Sequence, residues 1–223
     1  MGLSRIGAHD LVEAQRKNLG DEVALFLELI RRVFEAVDDK GKLRNRVVAF
    51  TATGPREGVT YVVNSVAKEL ATQSQKSVVV VDAVGLARVY VAEPTQVPQH
   101  CSETQIANLF TFPSEDSGVA DLPESTNGVG WHSDPGYRAV CLKALRWNFD
   151  YVLVDCPALA ASAEAVMLAP IIDGVVIVVE AGQTQNGQIQ RAQHAIENAG
   201  GKFFGFVLNQ RHYPVPDWLY RRL

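Results

Sequence analysis

The chain has 223 residues, 47% hydrophobic and 21% charged, with three cysteines and a formal charge of −4 at pH 7. That length fits one core with an N-terminal extension, and the slightly acidic balance excludes a nucleic-acid binder driven by net charge. An odd number of cysteines, Cys101, Cys141 and Cys156, without C-x-x-C spacing excludes a disulfide framework and a zinc site and fits a reducing cytoplasm.

The first residues carry no signal-peptide apolar stretch, and Ile6 stands where a myristoylation signal after Met1-Gly2 requires Ser or Thr. The most apolar run, Val166–Val179, is broken by Pro170, Asp173 and Gly174, so it is not read as a membrane span. Residues 1–20 lack a pattern and are taken as the extension; 21–223 are taken as a single domain. Its first element is an amphipathic helix, because Val23, Phe26, Leu27, Ile30, Val33, Phe34 and Val37 recur at helical spacing. Glu28, Arg31, Arg32 and Glu35 lie on the other face, read as solvated in preference to a subunit contact.

Arg46–Ala52 reads as a strand buried on both faces, and Gly58–Thr72 as the helix after it. Ser77–Val81 is a second buried strand, ending at Asp82. Ile106–Phe112 fits either a short strand or a helix, and 114–136 is expected to be a long surface loop holding Trp131 and His132. A helix at Tyr137–Trp147 follows, then the strand Tyr151–Val154, which ends in Asp155, and a helix across Ala161–Leu168. The strand Gly174–Val179, the helix Gly187–Ala199 and the strand Phe203–Leu208, ending at Asn209, complete the alternation. Five strands alternating with helices predict an α/β fold, a three-layer α/β/α sandwich around a mostly parallel sheet. Residues 211–223, with Pro214, Pro216, Trp218 and Tyr220, suggest an extended tail with a short final turn.

The connection TGPREGVT, residues 53–60, has the frame of a phosphate loop. Such a loop curls backbone N–H groups around an anion at a helix N-terminus, adds a lysine for the outer phosphates and a hydroxyl for magnesium. Gly58 and Thr60 hold their positions, but Val59 replaces the lysine and Thr53 the first glycine. Arg56, Glu57, Gly58, Thr60 and Tyr61 are candidate nucleotide contacts; Tyr61 is equally a candidate to fill the pocket as a plain core side chain. Three strand ends deliver Asp82, Asp155 and Asn209 to the same edge. In phosphoryl transfer, Thr60, Asp82 and Asp155 would serve magnesium and the nucleophile, and Asn209 suits a purine edge. For any one of these aspartates a cap or turn role is an equal alternative.

GPREGVT, VVVVDA, FDYVLVDCPALAASAEAVMLAPIIDGVVIVVEAGQT and GFVLNQR together resemble the bacterial tyrosine kinases (BY-kinases) and their MinD/ParA-type P-loop relatives. The resemblance runs from about residue 22 onward and is strongest over 149–223. Gly58 and Thr60 match the first nucleotide motif, Asp82 the second acidic motif, Asp155 the third, and Asn209 the base-contacting asparagine. Pro55, Glu57 and Gly58 match the family's P-G-E-G loop, with Arg56 in place of its first glycine. Val84 replaces the second acidic residue of D-A-D, Glu28 and Arg31, followed by Phe34, keep only part of the self-association motif E-x2-R-x2-R, and with only Tyr213 and Tyr220 near the C-terminus the family's tyrosine-rich tail is read as absent. The resemblance implies a cytoplasmic protein of exopolysaccharide synthesis that meets the inner membrane through a chain-length-regulating co-polymerase or a related kinase. It leaves self-association open. Without the lysine, ATP or ADP with magnesium is expected to bind weakly and catalysis to be impaired; the alternative is an active tyrosine kinase using Arg56 as surrogate cation, with Asp82 as base.

Overall fold

The computed structural model describes residues 26–34, 46–86, 94–113 and 135–210. The chain divides into two compact units, 1–43 and 44–223. In the first unit, 26–33 is helical (α1), with Phe26, Ile30, Val33 and Phe34 buried. Leu27, read from its spacing as part of that apolar face, is exposed. Arg32 Nε donates to Glu28 Oε1 at 2.6 Å between exposed side chains, the one-turn pair expected of a solvated face.

The second unit is built on a seven-stranded sheet: β1 (Arg46–Ala52), β2 (Val78–Asp82), β3 (Ser102–Glu103), β4 (Leu109–Phe112), β5 (Tyr151–Asp155), β6 (Gly174–Glu180) and β7 (Phe203–Asn209). The spatial order is β3-β4-β2-β5-β1-β6-β7, and every pairing is parallel except β3 with β4. Two of these strands extend the predicted five: β4 settles the ambiguity at 106–112 as a strand, and β3 is a two-residue edge that no periodicity announces. The central trio β5-β1-β6 is apolar almost throughout, as burial on both faces requires. At the edge, β7 keeps Val207 buried and leaves Phe206 and Leu208 exposed, the alternation of a strand covered on one face.

The helices are α2 (Val59–Ser74), α3 (Ala83–Leu86), α4 (Pro135–Asn148), α5 (Glu164–Leu168) and α6 (Asn186–Asn198), with 3-10 turns at Pro94–His100 and Ala169–Ile171. Val47, Ala49, Val152 and Val154 share one cluster with Leu142 and Leu145 of α4 and Leu168 of α5. The buried side chains of α2, Val62, Val63, Val66 and Leu70, lie outside that cluster although α2 contacts β1, β2 and β5, so α2 covers the opposite face. The result is the predicted three-layer sandwich around a mostly parallel sheet.

The helix read over Ala161–Leu168 starts at Glu164, after the turn that the Ala161 and Ser162 amides make by donating to Ala158 O. Arg138 of α4 forms a nearly buried ion pair with Glu164 there. Pro135 and Gly136, placed in the surface loop by the sequence, open α4, where a first-turn proline loses no helical hydrogen bond. The rest of that expected loop, with Trp131 and His132, and the expected tail after residue 210 lie outside the described residues. Among the described residues, no helix is long and apolar enough to cross a membrane.

Candidate nucleotide site

β1 pairs with β5 on one side and β6 on the other, while the chain leaving β1 runs through α2 to β2, beyond β5. The C-terminal ends of β1, β2 and β5 therefore flank a crevice of the kind in which open α/β sheets bind ligands. Residues 53–58 span it and lead into α2, whose first N–H groups have no partner within the helix and carry its positive dipole end. The crevice is a cleft of about 390 Å³, lined by residues 54–60 of the loop and α2, by Asp82 and Asp155, and by Cys156, Pro157, Ala158 and Ala161.

The loop holds two left-handed residues, Arg56 at φ 67° and Gly58 at φ 87°. Glycine is required at 58 for a second reason: a Cβ there would lie 2.2 Å from Asn209 Nδ2. Glu57 is 6% exposed, and its carboxylate is enclosed by donors. Oε2 accepts from Thr53 N at 2.9 Å, and Oε1 from Thr53 Oγ1 at 2.9 Å and Thr184 Oγ1 at 2.6 Å. The loop's carbonyls are held from β7: Asn209 Nδ2 donates to Glu57 O at 2.9 Å and Gln210 Nε2 to Arg56 O at 2.8 Å.

Asp82 and Asp155 stand opposite each other in the β2–β5 register. Asp82 is exposed and caps α3, Oδ1 accepting from Val84 N at 3.0 Å and Oδ2 from Gly85 N at 2.9 Å. Burial pushes the Asp155 carboxyl above its ordinary value; the hydrogen bond from Thr60 lowers it in part, and the Asp82 charge raises it further. Cys156, next to Asp155, is buried, and burial followed by the negative charge of Asp155 drives its thiol well upward.

The fold thus gathers Arg56, Glu57, Gly58, Thr60, Asp82 and Asp155 around one cleft. Tyr61 is half exposed and does not line it, and neither does Asn209, whose amide braces the loop. Two carboxylates and the Thr60 hydroxyl suit magnesium, which keeps several waters and is commonly bound by one or two carboxylates plus substrate phosphates. Thr184 and Gln210 are braces that sequence reasoning missed. They lie 127 and 154 residues from their partners, and although both fall inside the segments that carry the resemblance, no role was assigned to either.

No protein-family model matches the chain. The tyrosine-protein kinase CpsD of Streptococcus agalactiae is 23% identical over 189 residues, covering 78% of this chain and 79% of that protein. The succinoglycan biosynthesis transport protein ExoP of Rhizobium meliloti is 27% identical over 182 residues, 74% of this chain but 22% of ExoP. Among solved structures, the VpsO kinase domain superposes with a TM-score of 0.63 at 17% identity, covering 89% of this chain and 98% of that one. The septum site-determining protein MinD of Pyrococcus horikoshii, complexed with Mg-ADP, superposes with a TM-score of 0.54 at 17% identity over 79% and 76%. The chain's homologues are therefore bacterial tyrosine-protein kinases, and its fold is the P-loop sandwich that kinase domains of this kind share with MinD.

Proposed function

We propose that this chain is a BY-kinase-like protein of capsule or exopolysaccharide biosynthesis whose nucleotide site is catalytically impaired, so that it works as a docking or regulatory module. The single observation behind this reading is Val59, which lines a phosphate-loop cleft at the position of the missing cation. An apolar side chain there withdraws a charge-assisted phosphate contact worth about 1.5–3 kcal/mol. Losing one preorganised transition-state contact costs a rate of order 100- to 1,000-fold. The N–H groups of the loop and of the first α2 turn remain, so weak ATP or ADP binding survives. Magnesium, when bound, would neutralise phosphate charge; Thr60, Asp82 and Asp155 are the residues to hold it. Kinship with CpsD and ExoP supports a membrane polysaccharide co-polymerase, or a related kinase, as partner, with this chain peripheral at the inner membrane through that contact and able to self-associate.

The alternative is an active ATP-dependent tyrosine kinase. It is favoured by Arg56, a cation that also lines the cleft and would replace the lysine, with Asp82 as base and Asp155 on magnesium. Calorimetric titration with ATP and ADP, with and without magnesium, on wild type and Val59→Lys, combined with an autophosphorylation assay, separates the two. The regulatory reading expects weak binding, at least tenfold tighter in Val59→Lys, and no turnover in the wild type. Robust autophosphorylation lost in Asp82→Asn would replace it with the alternative.

A further inference from the structure

The geometry points to Thr184 as a positioning residue for the phosphate loop, acting through the buried carboxylate of Glu57. Its Oγ1 donates to Glu57 Oε1 at 2.6 Å, the short distance of a hydrogen bond to an ionised acceptor. The same oxygen accepts from Glu180 N at 3.0 Å, and Thr184 N donates to Glu180 O at 3.2 Å. The hydroxyl is therefore aimed by the end of β6 and has one direction in which to donate. Glu57 passes this on, since its two oxygens also receive the amide and hydroxyl of Thr53, the first residue of the loop.

The loop depends on such outside support. Arg56 occupies a left-handed conformation that an L side chain adopts at a cost, and Val59 has no polar atom with which to hold the loop from within. Removing the Thr184 hydroxyl leaves an enclosed carboxylate short of a donor, and the least costly response is for Glu57 to turn toward water and release Thr53. The loop N–H groups then lose the orientation that anion binding needs. The proposal rests on the nucleotide reading for its effect on affinity, while its structural core stands apart from it.

The test uses the whole chain in three forms: wild type, Thr184→Val, which keeps the shape and removes the hydroxyl, and Thr184→Ser, which restores it. In ligand-free protein, hydrogen exchange of the Thr53 amide is expected to rise about tenfold in Thr184→Val and to return in Thr184→Ser. Titration with magnesium ADP is expected to show about tenfold weaker binding in Thr184→Val, again restored by serine. Unchanged Thr53 exchange, a rise spread evenly along β1 and α2, or failure of serine to restore it would overturn the proposal. Faster exchange with unchanged affinity would overturn it too. A wild type that binds no nucleotide would remove the nucleotide part of the proposed function and leave its docking part, while the exchange comparison would still decide this one. Thr184→Ala is read by the same criteria if the valine variant does not fold.

Discussion

Arg56 shows how far a single residue can be read from its backbone. The resemblance assigns glycine to its position, and φ 67° gives the physical reason: left-handed geometry costs an L residue about 1–2 kcal/mol and glycine almost nothing. Arg56 lines the cleft, so a contribution of its side chain there is one way to offset that cost. Arg56→Gly is accordingly expected to stabilise the ligand-free protein by about 1 kcal/mol in denaturant unfolding, and to weaken nucleotide affinity if Arg56 contacts phosphate. A stabilised variant with unchanged affinity would leave Arg56 as a solvent-facing residue. Asp82 teaches the complementary lesson, because its two short bonds to Val84 N and Gly85 N fulfil the cap role that the sequence left as an equal alternative to metal binding.

At the scale of elements, β1, β2, β5, β6 and β7 were legible because each is a nearly continuous apolar run flanked by polar residues or glycine. β3 was not, since two residues carry no period, and α3 was hidden because four residues held by an Asp82 cap have no helical pattern. Pairings are less visible still. Gly174, at the start of β6, lies under the Phe204 ring of β7, where a Cβ would come within 2.6 Å of three ring atoms, and Arg46 of β1 covers the ring at 5.7 Å from its centroid. Gly174→Ala must displace that ring. We expect a loss of about 1–3 kcal/mol in urea unfolding, reduced when combined with Phe204→Ala, which removes the clash.

On the scale of the molecule, the sequence predicted layers but not strand order, because nothing local says that β5 inserts between β2 and β1. That insertion sets Asp155 opposite Asp82, and at the other end of the same strands it sets Asp150 beside Ser77. Burial pushes the Asp150 carboxyl upward, but bonds from Ser77 N and Oγ at 2.9 Å each, together with Lys76, outweigh it and leave a net lowering. A carboxyl lowered in the fold contributes stability above its unfolded value, and that contribution fades as pH falls below about 4. Asp150→Asn should therefore lose about 1 kcal/mol at pH 7, and its deficit relative to wild type should shrink on acidification below pH 4; a constant deficit would mean that the charge is not involved.

The braces on Glu57 and Arg56 also impose an order on synthesis. Every residue of the 53–60 motif leaves the ribosome early, yet the side chains that hold it in shape, Thr184, Asn209 and Gln210, are translated more than a hundred residues later. A nascent chain carries the signature of the site long before it carries the site, so any nucleotide affinity of the loop is expected to develop only after β7 has joined the sheet.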